Sequence, residues 1–357
     1  MRSLLRWSLV VALLGPAALP AAFAAQDGDL VPAAPVPTSH TRSLGVMGTD
    51  LEIEVLSADD AAAEAAIDAA VAELQRIEDL MTSWRDSPLT RLNAAAGTGW
   101  VDVPPELCEL IARSLAVSEL TGGAFDPTFA SVGKLWDFKA DPPVLPSKEA
   151  IAEALTHVGY EKVEVDLEGS RVALPAGTRI GLGGIAKGYG VDRAMKILMD
   201  RGVHNGIVNA GGDLKALGTK FGHPWRIAIK HPRHKDTPIA VVPLANTCLV
   251  TSGDYERFFE YEGVRYHHIL DPRTGYPATG CMSASILAPD AAFADALATA
   301  MVVLGPEKGL AIVETLPRVE ALLVDMDGKV HRSSGLLGKS VPATPPAAKA
   351  PPAEVPQ

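Results

Sequence analysis

"GLGGIAKGYGVD", residues 181–192, sets five glycines around a single lysine. Ahead of it, "SRVALPAGTRI" (170–180) reads as strand-like. Behind it Val191, Ala194, Met195 and Leu198 recur at helical spacing up to Gly202, a C-terminal stop. Glycines between a strand and a helix let backbone N–H groups approach a ligand closely, most often a phosphate. The spacing matches neither G-x-x-x-x-G-K-[ST] nor G-x-G-x-x-G. The competing reading is a tight junction whose glycines serve packing. Lys187 tips the balance towards a ligand, because a cation in the first turn of a helix opposes the macrodipole and calls for a nearby anion.

Outward from this loop the pattern is mixed. "TDLEIEVL" (49–56) alternates, with Leu51, Ile53 and Val55 on one face and Asp50, Glu52 and Glu54 on the other, the mark of a half-buried strand. Ser57 with Asp60 resembles a capping box opening a helix that carries Ile67, Val71, Leu74, Ile77 and Met81. Further helices are expected from Pro105 to Gly122–Gly123 and from Asp290 to Gly305. Strand-like runs fall at "NGIVNA", "WRIAIK", "IAVVPL", "MSASILA" and "VEALLVDMDGKVHRS", the last with an Asp327–Gly328 hairpin turn. Long helices mixed with hairpin-like strands predict an α+β fold rather than a βαβ series.

The 357 residues begin with Arg2 and Arg6, an apolar run, and small residues around Ala22, Ala24 and Ala25, the pattern of a cleaved secretory leader over 1–25. A Pro/Ala linker is expected over 26–39, one folded domain over 40–337, and a disordered Pro/Ala tail over 338–357. Without the leader, 30 basic residues face 43 acidic ones, a balance of about −13, which argues against nucleic acid as a partner. Cys108, Cys248 and Cys281 are too few and scattered for a disulfide framework or a zinc site. Cys108 reads as core, and one disulfide between two of the three stays open.

Several segments carry groups capable of chemistry. "NAGGDLKALG" (209–218) is a second Gly-rich strand end whose Gly–Gly–Asp turn would let backbone approach a ligand, although in isolation it reads as an ordinary bend with Asp213 bonding its own backbone. In "TGGAFDPTF" Asp126 precedes a proline that fixes it extended, where it suits hydrogen bonds from a heterocycle or, taken alone, a solvated turn. "RYHHILDPRTGYP" places Tyr266 and His268 on one strand face and His267 and Ile269 on the other; a histidine near neutral pKa serves as acid or base. Asp295 and Thr299 stand one helical turn apart, a pair of hard oxygen ligands suited to Mg²⁺. The alternative is that Thr299 bonds the carbonyl of residue 295, which leaves a carboxylate in an Ala-rich helix unexplained.

Taken in order, "MTSWRDSPLTRLN", "TGGAFDPTF", "LGGIAKGYGVDRA", "VNAGGDLKALG", "TSGDYERFF", "HHILDPRTGYP" and "APDAAFADALATAMVVLG" closely resemble the ApbE family, the FAD:protein FMN transferases, over about residues 43–335. The resemblance implies a single catalytic domain of T-fold-related α+β type, with mixed and antiparallel sheets and packed helices. It implies a periplasmic, Mg²⁺-dependent enzyme that moves the FMN half of FAD to a threonine hydroxyl and releases AMP. Implied acceptors include membrane subunits of Na⁺-translocating NADH:quinone oxidoreductase and Rnf-type complexes. Implied FAD contacts are Met47, Ser83, Trp84, Asp126 at the adenine end, Lys187 near the phosphates, and Ile269. Implied metal ligands are the Gly184 carbonyl, Asp295, Thr299 and the Ala298 carbonyl, with His268 as the base. One departure is Gly181, where many members carry an acidic residue; a looser loop is expected if that side chain supports it. Two other readings compete: an FAD pyrophosphatase giving FMN and AMP, and a non-catalytic periplasmic flavin-binding protein.

Overall fold

A computed structural model of the chain describes residues 36–234, 237–336 and the backbone of 341–342. The expected leader, most of the linker and almost all of the tail lie outside the described residues. The frame is an eight-stranded antiparallel sheet. Its strands run, edge to edge, as β1 (Thr38–Val46), β2 (Thr49–Ser57), β6 (Gly206–Ala210), β7 (Asp213–Leu217), β10 (Thr247–Gly253), β13 (Ser283–Ala288), β14 (Glu320–Val324) and β15 (Val330–Arg332). A three-stranded sheet of β16 (Val341–Pro342), β9 (Pro238–Leu244) and β8 (Trp225–Lys230) covers one face. Helices α1 (Asp60–Met81), α6 (Ala186–Asp200) and α7 (Ala291–Val313) lie side by side on the other.

The side chains follow this sandwich. On β10, Cys248 and Val250 enter the helix layer while Leu249 enters the layer under β8 and β9. On β14, Ala321 and Leu323 face the helices, and Leu322 and Val324 face away from them. Strands buried on both faces read as continuous apolar runs, which is why "ALLV" and "SASILA" do not alternate. Towards the sheet's edge β2 does alternate: Leu51, Ile53 and Val55 are core, whereas Glu52 is exposed.

The remaining elements support this frame. A small sheet of β3 (Trp100–Asp102), β4 (Glu164–Asp166) and β5 (Arg171–Ala173) packs on α3 (Pro105–Leu120). Helices α2 (Pro88–Ala94), α4 (Ala130–Gly133) and α5 (Lys148–Leu155) hold the connections. The hairpin β11 (Phe258–Tyr261) and β12 (Val264–His267) joins an aromatic cluster of Trp136, Phe138, Phe259, Tyr266 and Tyr276.

Several boundaries differ from the sequence reading. The first strand starts at Thr38, inside the expected linker, because its backbone pairs with β2 out to Ser57. Val341 and Pro342, assigned to a disordered tail, pair with β9. Asp59, not Ser57, caps α1 by accepting from Ala62 N at 2.9 Å. The last long helix does break at Gly305 (φ 78°), where Gly280 packs against the helix backbone, but a helical segment resumes at Pro306. Helix α7 is the one helix among the described residues long and apolar enough to span a membrane, and most of it is buried in the core. All three cysteines are buried and unpaired, so no disulfide joins any two of them.

Candidate active site

The opening loop is not a strand–turn–helix. Only Arg171–Ala173 of the preceding stretch is strand, and residues 174–185 form an irregular connection. Asn93 on α2 fixes it: its side chain accepts from Ile180 N at 2.7 Å and donates to Ile180 O at 2.8 Å. Gly181 N donates to Pro127 O at 2.8 Å. The glycines divide into two groups. Gly188 and Gly190 serve helix packing, since a Cβ on Gly188 would overlap the Ala291 backbone and one on Gly190 would lie 2.9 Å from Met47 Sδ. Gly184 instead faces a cradle in which an added Cβ would sit 3.2 Å from both Thr299 Oγ1 and the Phe125 ring. The packing reading therefore holds for Gly188 and Gly190, while Gly184 opens onto a cradle beside Thr299.

At the mouth of that cradle lies a buried ionic cluster. Lys187, in the first turn of α6, donates to Asp213 and lies 3.7 Å from Asp295 Oδ1. Asp213 does not bond its own backbone. The Gly211–Gly212 hairpin turn, with both φ positive, aims it at the lysine. Gly211 also permits a close approach that a Cβ would block at Thr49. Asp295 accepts from Gly188 N at 3.1 Å. The anion that Lys187 calls for is thus supplied by the protein itself. Burial works against the ammonium, but the two carboxylates outweigh it and hold Lys187 protonated well above the usual lysine range. Burial and the neighbouring Asp295 push the Asp213 pKa upward, against the pull of Lys187. Asp213 and Asp295 are 1% and 2% exposed, so two carboxylates share one ammonium, and Asp213 Oδ1 is buried without a hydrogen-bond partner. Thr299 makes no bond to the residue 295 carbonyl; its hydroxyl lies 3.3 Å from Ser252 Oγ. Among the described residues no three His, Cys, Asp or Glu side chains converge on one point. The hard donors present are carboxylates, hydroxyls and backbone carbonyls, the set that suits Mg²⁺ with water or phosphate oxygens completing its shell.

The β1–β2 turn closes one side. Met47 has φ 53°, and its N–H is held by Glu78 at 2.8 Å. A Cβ on Gly48 would lie 3.8 Å from both the Trp84 ring and an Arg257 nitrogen. Trp84 is 62% exposed, an apolar ring offered to solvent at the mouth of the site. Arg257 also organises His268: its carbonyl accepts from His268 N at 3.0 Å and lies 3.3 Å from Nδ1. A carbonyl only accepts, so Nδ1 carries the proton and Nε2 presents its lone pair. Burial, then the Arg257 charge, pulls the His268 pKa down to about 4, so the ring is neutral at pH 7.

The strand alternation expected across His267 and His268 stops at His267, where β12 ends. His267 is buried and bonded to Ala278 O at 2.9 Å. Ile269 lies in the main core and Ser83 is exposed. Ala298 lies inside α7, its side chain fully buried. Asp126 is not a solvated turn: it is buried, accepting from Thr128 N, Thr128 Oγ1 and Tyr160 N at 2.8, 2.6 and 3.0 Å. Gly181 leaves no slack, because Phe129 and Ala130 occupy the space beside it, 3.2 and 3.0 Å from an added Cβ. Sequence reasoning gave no role to Ser252 or Arg257, although both lie in "TSGDYERFF". It passed over Asp213, whose signal was the Gly–Gly turn directly before it.

Comparison with known proteins identifies the family. The ApbE family model matches residues 47–323. An FAD:protein FMN transferase of Treponema pallidum is 38% identical over 320 residues, 84% of this chain and 88% of that protein. Another, from Klebsiella pneumoniae, is 32% identical over 80% of this chain and 85% of its own length. The fold superposes on the ApbE protein of Thermotoga maritima with a TM-score of 0.78 at 39% identity, covering 84% of this chain and 98% of that one. The apo flavinyl transferase ApbE of Pseudomonas stutzeri gives 0.75 at 31% identity, covering 84% and 96%. With the family model, the relatives and the fold in agreement, the chain belongs to the ApbE family, as an enzyme that transfers FMN from FAD to protein.

Proposed function

We propose that the transfer is Mg²⁺-dependent, that the acceptor is a threonine hydroxyl, and that AMP is the product released. The observation that carries this reading is the buried Lys187–Asp213–Asp295 cluster, in which two carboxyl groups face one ammonium and one Asp213 oxygen has no partner. Asp295, the Thr299 hydroxyl and the Gly184 and Ala298 carbonyls would hold the metal. When bound, it offsets charge on the bridging and leaving oxygens of a pyrophosphate.

The chain's own groups supply the rest. Lys187 keeps its charge beside the phosphates because two carboxylates hold it there. Met47 and Trp84 bound the flavin side, with Ser83 and Ile269 as further contacts, and Asp126 shapes the adenine end through the loop it ties down. The threonine Oγ–H gives its proton to His268 Nε2 as Oγ bonds to the FMN phosphorus. The P–O bond to the AMP phosphate breaks, and AMP leaves with the electron pair. Threonine is a weak nucleophile, so a positioned base contributes on the order of 10²–10⁴-fold.

We place the enzyme in the periplasm, after removal of residues 1–25, with membrane redox-complex subunits of Na⁺-translocating or Rnf type as acceptors. Intact-mass analysis of a threonine-bearing acceptor with FAD, with and without Mg²⁺, tests the chemistry. The expected result is a metal-dependent gain of one FMN phosphodiester with one AMP released. Free FMN and AMP with an unmodified acceptor would make the enzyme a pyrophosphatase. N-terminal sequencing of the exported protein tests the location.

A further inference from the structure

A cleft of about 540 Å³ runs between the large sheet and the edge of β8. All six residues of β8, Trp225–Lys230, line it. A strand seen face-on presents every second residue; one seen along its edge presents them all. The cleft therefore follows the open edge of the three-stranded sheet. The register with β9 fixes what that edge offers. Arg226 stands opposite Pro243, which has no N–H to exchange, so Arg226 and, two residues on, Ala228 occupy non-hydrogen-bonded positions. Their N–H and C=O groups point away from β9, into the cleft, and have no backbone partner among the described residues.

The cleft leads to the active site. At one end Trp225 Nε1 bonds Leu217 O, at the far end of β7. At the other, Arg233, just beyond β8, grips Asp254 with two bonds of 2.7 and 2.6 Å. That end is lined by Gly211, Gly212 and Glu256. These are chain neighbours of Asp213 and Arg257, so one hairpin turn forms the rim between cleft and site. The floor carries Ile207, Leu214 and Leu249, with exposed Glu52 alongside and no ion pair to it among the described residues.

We propose that this edge is the acceptor-docking site: an extended threonine-bearing segment of the target protein adds to β8 as a further strand, and its threonine passes the Gly211–Gly212 rim to the flavin phosphate. The inference rests on the protein-acceptor reading above. Continuity with the active site commits it to the acceptor, and main-chain pairing explains how an unrelated sequence can be held in register. Apolar side chains at alternate positions meet Leu214 and Ile207, and a basic one meets Glu52.

The test uses a threonine-centred peptide, selected from a randomised library because the wild-type enzyme flavinylates it. Ala228→Pro removes one edge donor that β9 does not use, whereas Ala228→Val retains it. The expected result is a rise in peptide KM of about tenfold or more for Ala228→Pro, with FAD affinity unchanged and Ala228→Val near wild type. Backbone N-methylation scanned along the peptide, which leaves the enzyme untouched, is expected to weaken transfer at every second position. Deletion of residues 343–357 is expected to leave KM unchanged. An unaltered KM for Ala228→Pro with no alternation in the N-methyl scan overturns the proposal. A fall in KM on tail deletion overturns it too, in favour of the chain's own tail as occupant. Failure of every library peptide to accept FMN overturns the threonine reading instead, and this inference with it.

Discussion

Two buried carboxylate sites sit a short loop apart and are built in opposite ways. Asp126 is surrounded by donors: one oxygen takes Thr128 N and Oγ1, the other takes Tyr160 N. Burial pushes its pKa up, and those bonds pull it back. Asp213 and Asp295 are as deeply buried yet share one lysine, and an Asp213 oxygen has no partner. A saturated carboxylate spends its hydrogen-bonding capacity on architecture. An unsaturated pair raises the free energy of the isolated fold, and that cost is offset when a cation arrives.

Substitution at each site breaks or sharpens this contrast. Asp295→Asn is expected to lower FMN transfer by roughly 10³-fold, because a Lewis acid contributes several kcal/mol to such a step. Stability should move by less than about 1 kcal/mol, since Lys187 keeps Asp213 as a partner and Gly188 keeps an acceptor. Steady-state kinetics, Mg²⁺ calorimetry and thermal melts together check this; unchanged metal affinity would return Asp295 to structure. His268→Ala comes next, with transfer down by about 10²–10⁴-fold and FAD affinity little changed. His267 is unsuitable as its control, because its loss strands the Ala278 carbonyl; exposed His204 serves better.

The same histidine sets the pH behaviour. With a pKa near 4 it stays a competent base across pH 5–9, and kcat/KM should show its acid limb only below about pH 5. In the unfolded chain the ring binds protons near pH 6.5. The unfolded state therefore holds more protons between pH 6.5 and 4, and stability falls as pH falls through that window. Buried His267, also shifted down, adds to the trend, which melts from pH 7 to 4 will show.

Asp126→Asn should do the reverse of Asp295→Asn. An amide set against Thr128 and Tyr160 leaves a donor facing a donor, costing about 1–3 kcal/mol of stability, with transfer reduced by less than about tenfold. The smallest effect is expected at Gly181. Gly181→Asp adds a side chain where Phe129 and Ala130 already pack, and should lower stability by about 1–3 kcal/mol without raising activity. A gain in activity would show instead that the loop is under-supported.

Much of this was legible in the sequence. Helices α1, α3 and α6, the Asp327–Gly328 hairpin and the double-faced strands followed from periodicity and turn residues, because those are local effects. That Asp295 and Thr299 stand one turn apart on a single helix followed from the sequence spacing. Strands β1 and β10 were not legible. The first hides in a polar stretch whose order comes from pairing with β2, and the second is a buried "TCLVTSG" without alternation.

By itself the sequence determined the helical periods, the family motifs, and which side chains were capable of chemistry, since each is a property of near neighbours along the chain. Only the tertiary structure decided that Lys187 finds its anion in Asp213, 26 residues away, and that Asp126 is saturated while Asp213 is not. It alone set His268 beyond the end of its strand, with its proton turned towards Arg257. Charge and hydrogen-bond balance in a buried site depend on every group that packs around it, and those groups arrive from distant parts of the chain.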